Sequence, residues 1–137
     1  HDTSSRAGEA EYQIEGMDIS GPRQMNPQRL GDVNNHFRGE GSYSSKGFVW
    51  LPSRDRLQLL WNQTAGSVGL EIVNFWKVAA LEDPSLNLLP EEREEMRKRL
   101  EGFSSQFGDR HCRLTVIGDR DGLETFANAV RECLCTD

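Results

Sequence analysis

Three short apolar runs in the middle of the chain constrain its fold more than any other feature. Runs rich in β-favouring residues lie at Phe48 to Leu51, Leu57 to Trp61 and Val68 to Val73. Pro52 ends the first run, and the polar segment 62–67 between the other two has turn chemistry. Because a parallel crossover needs about a dozen residues or more, strands joined this closely must run antiparallel.

The segments before these runs predict one strand and one helix. Broken alternation from Tyr12 to Ile19 is typical of a half-buried strand, which Gly21-Pro22 ends. Asn26-Pro27 predicts a helix start, with an Asn cap and proline at the first helical position. That helix continues through Leu30, Val33 and Phe37, and the composition of Gly39 to Ser45 predicts a loop.

The last third predicts two helices around a strand. Segment 91–100 places acidic residues before basic ones, which complements a helix dipole and allows Glu95 to pair with Arg99. Arg113 to Ile117 predicts a strand ended by Gly118. Asp121 is predicted to cap a final helix with an apolar stripe at Leu123, Phe126, Ala127, Val130 and Leu134. Segment Asn74 to Ala80 is predicted to extend the third apolar run or to form a further strand.

Together these elements predict an α+β fold. We expect an antiparallel or mixed sheet of about four or five strands, with two or three helices on one face. With 137 residues, the chain is long enough for one domain and one core. We expect residues 1–10, which have almost nothing to bury, to be a flexible linker or a cut end, and residues 11–137 to form the domain.

Charge and cysteine content exclude several classes of function. The net charge of −6 opposes a general role in binding nucleic acid or anionic membranes, since such proteins display a basic face. No apolar run approaches the roughly 20 residues that span a bilayer. The three cysteines, an odd number, fit a reducing compartment better than a disulfide framework, so we predict a cytoplasmic protein.

No catalytic apparatus is predicted. The glycine-rich segment 39–47 resembles a phosphate-binding loop only superficially, because Ser45 rather than glycine precedes Lys46. The residues from Phe48 predict a strand, so no helix N-terminus would face a phosphate. No nucleophile, base and acid converge by spacing, and we therefore predict no enzymatic activity for this chain.

Three stretches form an ordered set of short motifs. The first is Lys46-Gly47-Phe48-Val49-Trp50-Leu51, followed by Ser53-Arg54. The second is Trp61-Asn62-Gln63-Thr64-Ala65-Gly66-Ser67, leading to Phe75-Trp76-Lys77-Val78-Ala79-Ala80. The third comprises Gly108-Asp109-Arg110, Ile117-Gly118 and Cys133-Leu134-Cys135-Thr136-Asp137. In this order and spacing, they resemble the C-terminal domain of the CobW family, the metal-handling P-loop GTPases once grouped under cobalamin synthesis.

This resemblance implies a non-catalytic accessory domain of a metallochaperone GTPase that handles zinc or cobalt. Its implied partners are a GTPase domain, in the same chain or in another, and a metalloprotein client. GTPase activity would belong to the separate P-loop domain. No nucleic acid and no membrane are expected as partners.

An alternative function is metal binding by a cysteine and histidine cluster. If a helix returns along the 113–117 strand, its end lies near the start of that strand, because the two elements have similar lengths. Four side chains would then approach one another: His111, Cys112, Cys133 and Cys135. Thiolate and imidazole suit Zn²⁺, so zinc is the candidate cofactor, against the alternative that the cysteines are buried as small apolar residues.

The tryptophans also allow two interpretations. Trp50, Trp61 and Trp76 lie in or beside predicted strands, where a large indole side chain favours the core. The alternative is that Trp61 and Trp76 line an exposed sheet face and bind a partner.

Overall fold

The computed structural model of this chain describes residues 14–37, 43–64 and 67–135. Its strands are β1 (Ile14–Gly21), β2 (Ser44–Val49), β3 (Leu57–Thr64), β4 (Ser67–Phe75) and β5 (Cys112–Asp119). Its helices are α1 (Pro27–Phe37), α2 (Lys77–Leu81), α3 (Pro90–Leu100) and α4 (Arg120–Arg131). Short 3₁₀ turns lie at Pro52–Arg54 and Pro84–Leu86. The predicted linker, residues 1–10, lies outside the described residues.

The strands form one five-stranded sheet in the order β1-β5-β2-β3-β4. Every neighbouring pair is antiparallel, and this confirms the predicted α+β class. The β2-β3-β4 meander follows the three apolar runs. The last strand, β5, is inserted between β1 and β2, so the sheet joins the two halves of the chain.

The core lies between one face of the sheet and two helices. Helix α4 packs on β1 and β5, and α1 packs on α4. Along β5, buried Cys112, Leu114 and Val116 alternate with exposed residues, as expected for a sheet covered on one face. We call the helix-covered side the inner face and the opposite side the outer face.

An aromatic cluster fills the centre of this core. The ring of Tyr43 stacks on Phe126 with centroids 4.8 Å apart, and Phe37 meets both rings edge-on. Tyr43 lies over two glycines, because a Cβ at Gly118 or Gly122 would overlap its side chain. The cluster therefore depends on two positions without side chains.

Several predicted boundaries differ from the structure. β2 begins at Ser44, inside the predicted loop, and ends before Trp50, whose amide donates to the Cys112 side chain at 3.3 Å instead of to a backbone carbonyl of a neighbouring strand. The prediction of a strand from Asn74 to Ala80 is wrong beyond Phe75, because β4 ends there and α2 begins at Lys77. Helix α4 ends at Arg131, so Leu134 lies beyond it.

Helix α3 is the solvated helix that its charges predicted. It has no buried residue, and Arg99 Nε lies 3.2 Å from Glu95 Oε1. It packs on α2 rather than on the sheet. None of the helices among the described residues combines the length and apolar character that crossing a bilayer requires.

Candidate functional site

The loop that leads into β5 connects the three sequence motifs. The carboxylate of Asp109 is buried and accepts hydrogen bonds from the backbone amides of Lys77 at 2.8 Å and Val78 at 3.1 Å. These amides open α2 and have no partner within the helix, so Asp109 caps a helix about thirty positions earlier in the chain. Asp109 of the third motif therefore fixes the start of the helix that the second motif leads into.

Arg110, the next residue, connects the same loop to the first motif. Its guanidinium lies 5.2 Å from the ring centroid of Trp50, which is a cation–π contact. Its Nη1 lies 3.6 Å from Asp55 Oδ2, and its Nε donates to the carbonyl of Phe107 at 2.9 Å. The indole N–H of Trp50 also donates to Asp55 at 3.0 Å. All three motifs thus meet at one end of the sheet.

A cleft of about 430 Å³ opens beside this junction. Its lining residues are Pro22, Arg23, Gln24, Trp50, Asp55, Phe107, Arg110 and Cys135. The carboxylate of Asp55 is already engaged by Gln24 at 3.2 Å and by Arg110. Asp55 thus binds Gln24, Trp50 and Arg110 inside the cleft, which favours a structural role for this junction.

The predicted metal ligands lie around this end of the sheet. His111 Nδ1 is 2.7 Å from the carbonyl oxygen of Asp109, and its ring lies 5.5 Å from that of Trp76. Cys112 is buried against the backbone of Trp50. The tail beyond α4 returns to this end, since the amide of Cys135 donates to Gln24 at 2.7 Å.

Burial determines the protonation of two thiols. It raises the pKa of Cys112 to about 12 and that of Cys133 to about 11. The Cys133 thiol also donates to the carbonyl of Ala129 at 3.3 Å. Within residues 14–37, 43–64 and 67–135, no three histidine, cysteine or acidic side chains are grouped as metal ligands. The four-residue zinc site stays a prediction.

The structure places both candidate partner-binding tryptophans in the core. Trp61 is 7% exposed, and its indole N–H donates to Ser45 at 2.9 Å. Trp76 is 2% exposed and packs near His111. Their burial agrees with the core interpretation, and direct contact of either indole with a partner stays a prediction.

The outer face of the sheet carries the exposed apolar residues of the central strands. By register, Phe48 lies opposite Leu60, and Ile117 lies opposite Ser44. Ile117 is 41% exposed, while Phe48 and Leu60 are half-buried. Sequence reasoning missed this face because it assigned Phe48 only to an apolar run. The alternation of Gly47 and Val49 with Phe48 is the signal that could have separated the two faces.

Solved structures of GTPases share this fold. A Zn(II)-bound YjiA GTPase from E. coli is similar over 92% of this chain and 31% of its own, with a TM-score of 0.51 and 11% identity. A Zn(II)-bound triple mutant of YjiA is similar over 88% of this chain and 29% of its own, with a TM-score of 0.52 and 10% identity. At such low identity, the likeness concerns the fold alone.

A family model and a curated relative extend this likeness to the sequence. Residues 14–134 match the family described as the cobalamin synthesis protein cobW C-terminal domain. The chain therefore belongs to the CobW C-terminal domain family. It is 28% identical to the zinc-regulated GTPase metalloprotein activator 1 of Dictyostelium discoideum, over 93% of this chain and 26% of that protein. The chain thus spans about a quarter of the length of this curated relative.

Proposed function

We propose that this chain is a non-catalytic accessory domain of a CobW-type metallochaperone GTPase. It would act by holding the GTPase domain, in the same chain or in another, and by presenting that domain to a metalloprotein client in zinc or cobalt handling. Its family membership supports this role, since the matched family is the C-terminal part of proteins that include named GTPases. A cytoplasmic location belongs to the same proposal.

The open outer face of the sheet is the observation that carries this proposal. Helices α1 and α4 pack on the inner side, and residues on the outer side remain accessible along three central strands. Interfaces between domains are usually more polar than permanent subunit interfaces. This face fits that description, because the Phe48–Leu60 pair and Ile117 lie among charged and hydroxyl side chains.

Some charged side chains of this face already bind one another. Asp18 Oδ1 accepts from the Thr115 hydroxyl at 2.8 Å, and Asp18 Oδ2 lies 3.7 Å from Arg113 Nη2. Lys46 lies opposite both Thr115 and Asn62 and is exposed. A partner would therefore meet a surface with fixed polar groups at its centre and apolar groups at two ends.

Substitution of Ile117 tests the proposed interface. A suitable probe is the Dictyostelium relative with its own matched segment deleted, titrated into this chain and followed by calorimetry. We expect Ile117→Lys to weaken binding at least about tenfold, because a lysine replaces the apolar contact at one end of the face.

The matched control is Thr125→Lys, which adds the same charge at an exposed position of α4, on the opposite side of the domain. We expect it to leave binding unchanged. Equal binding by the wild type and Ile117→Lys, or an equal loss with Thr125→Lys, would contradict the outer face as the interface.

The alternative function is zinc binding through His111, Cys112, Cys133 and Cys135. Zinc binds thiolate, and the raised pKa values of Cys112 and Cys133 keep both thiols protonated at neutral pH. One observation favours the alternative: Cys135 lines the same cleft as Trp50, whose backbone amide contacts the thiol of Cys112, so that Cys112 and Cys135 lie at the same end of the sheet. This pair would be the starting point of any site.

Thiol labelling distinguishes the two functions. In the native chain at pH 8, we expect a disulfide reagent to modify Cys135 rapidly, because Cys135 alone among the three cysteines is partly exposed. Cys112 and Cys133 should react only on unfolding in urea. Added Zn²⁺ should leave this pattern unchanged, and protection of Cys135 by Zn²⁺ would instead support the metal-binding function.

A further inference from the structure

Strand β4 is an edge strand whose apolar side chains are exposed. Val68 is 55% exposed, Leu70 is 47% and Ile72 is 59%. By register, these three residues lie opposite Gln63, Trp61 and Leu59 of β3, which are all buried on the inner face. The apolar inner face of the sheet therefore continues onto β4. The core that buries the inner face of β3 does not extend over β4. We call these three residues the β4 row.

The two edges of the sheet differ in protection. The edge strand β1 carries Glu15 and Asp18, which lie within 3.7 Å of Arg120 and Arg113. Charged groups on an edge oppose pairing with further strands. By contrast, β4 has nine residues with one charge, Glu71, and contains neither lysine nor proline. Within the described residues, no strand pairs with the outer edge of β4.

The sequence of β4 is suited to antiparallel pairing with itself. A two-fold axis perpendicular to the sheet keeps the inner faces of both copies on the same side, so inner residues must lie opposite inner residues. Among the two-fold registers that satisfy this rule, the one centred on Leu70 places Leu70 opposite Leu70 of the second copy. It also places Val68 opposite Ile72 in both directions.

Charge and strand length select this register over its neighbours. Centring on Glu71 would place two glutamates directly opposite each other, which is destabilising. Centring on Gly69 would leave Ile72 opposite a position beyond the strand end at Ser67. In the Leu70 register, Glu71 lies directly opposite Gly69 of the second copy, on the outer face, and the two Glu71 residues are diagonal neighbours rather than a direct pair.

We propose that β4 is a self-association edge, at which a second copy of this chain pairs antiparallel about Leu70. Two five-stranded sheets then form one continuous sheet of ten strands, with the two β4 rows side by side. Both outer faces stay open, so this inference goes beyond the proposed contact with a GTPase domain and does not depend on it.

A concentration series by analytical ultracentrifugation tests the proposal on the 137-residue chain. We expect a monomer–dimer equilibrium, which Leu70→Lys should shift toward monomer by at least about tenfold in the dissociation constant, since two lysines would then face each other. Circular dichroism and thermal unfolding establish that the variant is folded. Ile117→Lys, on the outer face, should dimerise like the wild type.

A charge pair tests the register itself. Gly69→Lys adds a lysine opposite Glu71 at two symmetric places, and a Cβ at Gly69 makes only an ordinary contact at 3.8 Å with the Asn62 carbonyl. It should tighten the dimer by about two- to thirtyfold, and the double variant Gly69→Lys with Glu71→Lys should weaken it below the wild type.

Three results would overturn the proposal. The first is a wild-type chain that stays monomeric at every concentration up to about 1 mM, and the second is a dimer that Leu70→Lys leaves intact. The third is a dimer that is tightened both by Gly69→Lys and by the double variant Gly69→Lys with Glu71→Lys. None of these results bears on binding of the GTPase probe, which is measured separately through Ile117.

Discussion

Replacing Gly47 by alanine is expected to destabilise the domain by about 3 kcal/mol or more. Gly47 lies in β2 between Trp61 and Leu114, with φ near +154°. A Cβ there would overlap the carbonyl oxygen of Arg113 and lie 2.9 Å from Leu114 Cα. Because both atoms belong to the backbone of the neighbouring strand, relief requires β2 and β5 to separate. Urea unfolding followed by tryptophan fluorescence measures the loss.

Gly16→Ala provides the matched control for this prediction. Gly16 also lies in a strand, but a Cβ there would make ordinary contacts, the nearest at 3.6 Å with the carbonyl oxygen of Val116. We expect Gly16→Ala to stay within about 1 kcal/mol of the wild type. A Gly47→Ala variant as stable as Gly16→Ala would contradict the steric explanation.

Removing the Asp109 carboxylate is the second large effect that we expect. Asp109→Ala leaves the amides of Lys77 and Val78 without their acceptor in a part-buried site, and the cost should be about 2 to 4 kcal/mol. Hydrogen exchange should show lost protection at these two amides, because α2 has five residues and holds its start through this contact.

Two further variants distinguish capping from a general loss of negative charge. Asp109→Asn retains one acceptor oxygen and should lose an intermediate amount of stability. Asp121→Ala removes an exposed acid from the first turn of α4 and should cost less than about 1 kcal/mol. Similar losses for Asp109→Ala and Asp121→Ala would argue against the capping role.

Local sequence patterns predicted the strands and long helices because each of those elements carries its own periodicity. The final helix shows this best: buried Leu123, Phe126, Ala127 and Val130 follow helical spacing. The insertion of β5 between β1 and β2 could not be predicted in this way, because it depends on pairings between distant parts of the chain. Helix α2 was missed for the same reason, since its cap is Asp109.

The candidate surfaces were less predictable than the fold. The alternating residues Val68, Leu70 and Ile72 predict a strand with one buried side, and that pattern is the same whether or not a helix covers it. Only the three-dimensional arrangement shows that the β4 row remains exposed. Likewise, the motifs around Trp50, Trp76 and Arg110 carried the family resemblance, and the structure shows that they meet at one junction.

The stacking of Tyr43 over Gly118 and Gly122 has an evolutionary consequence. These three positions share one volume, since a methyl group on either glycine would occupy space that the phenol ring fills. Relatives that replace the tyrosine by a small residue gain room for alanine at both glycine positions, while relatives that keep it do not. The three positions should therefore change together among descendants of a common ancestor, although more than seventy residues separate Tyr43 from the two glycines along the chain.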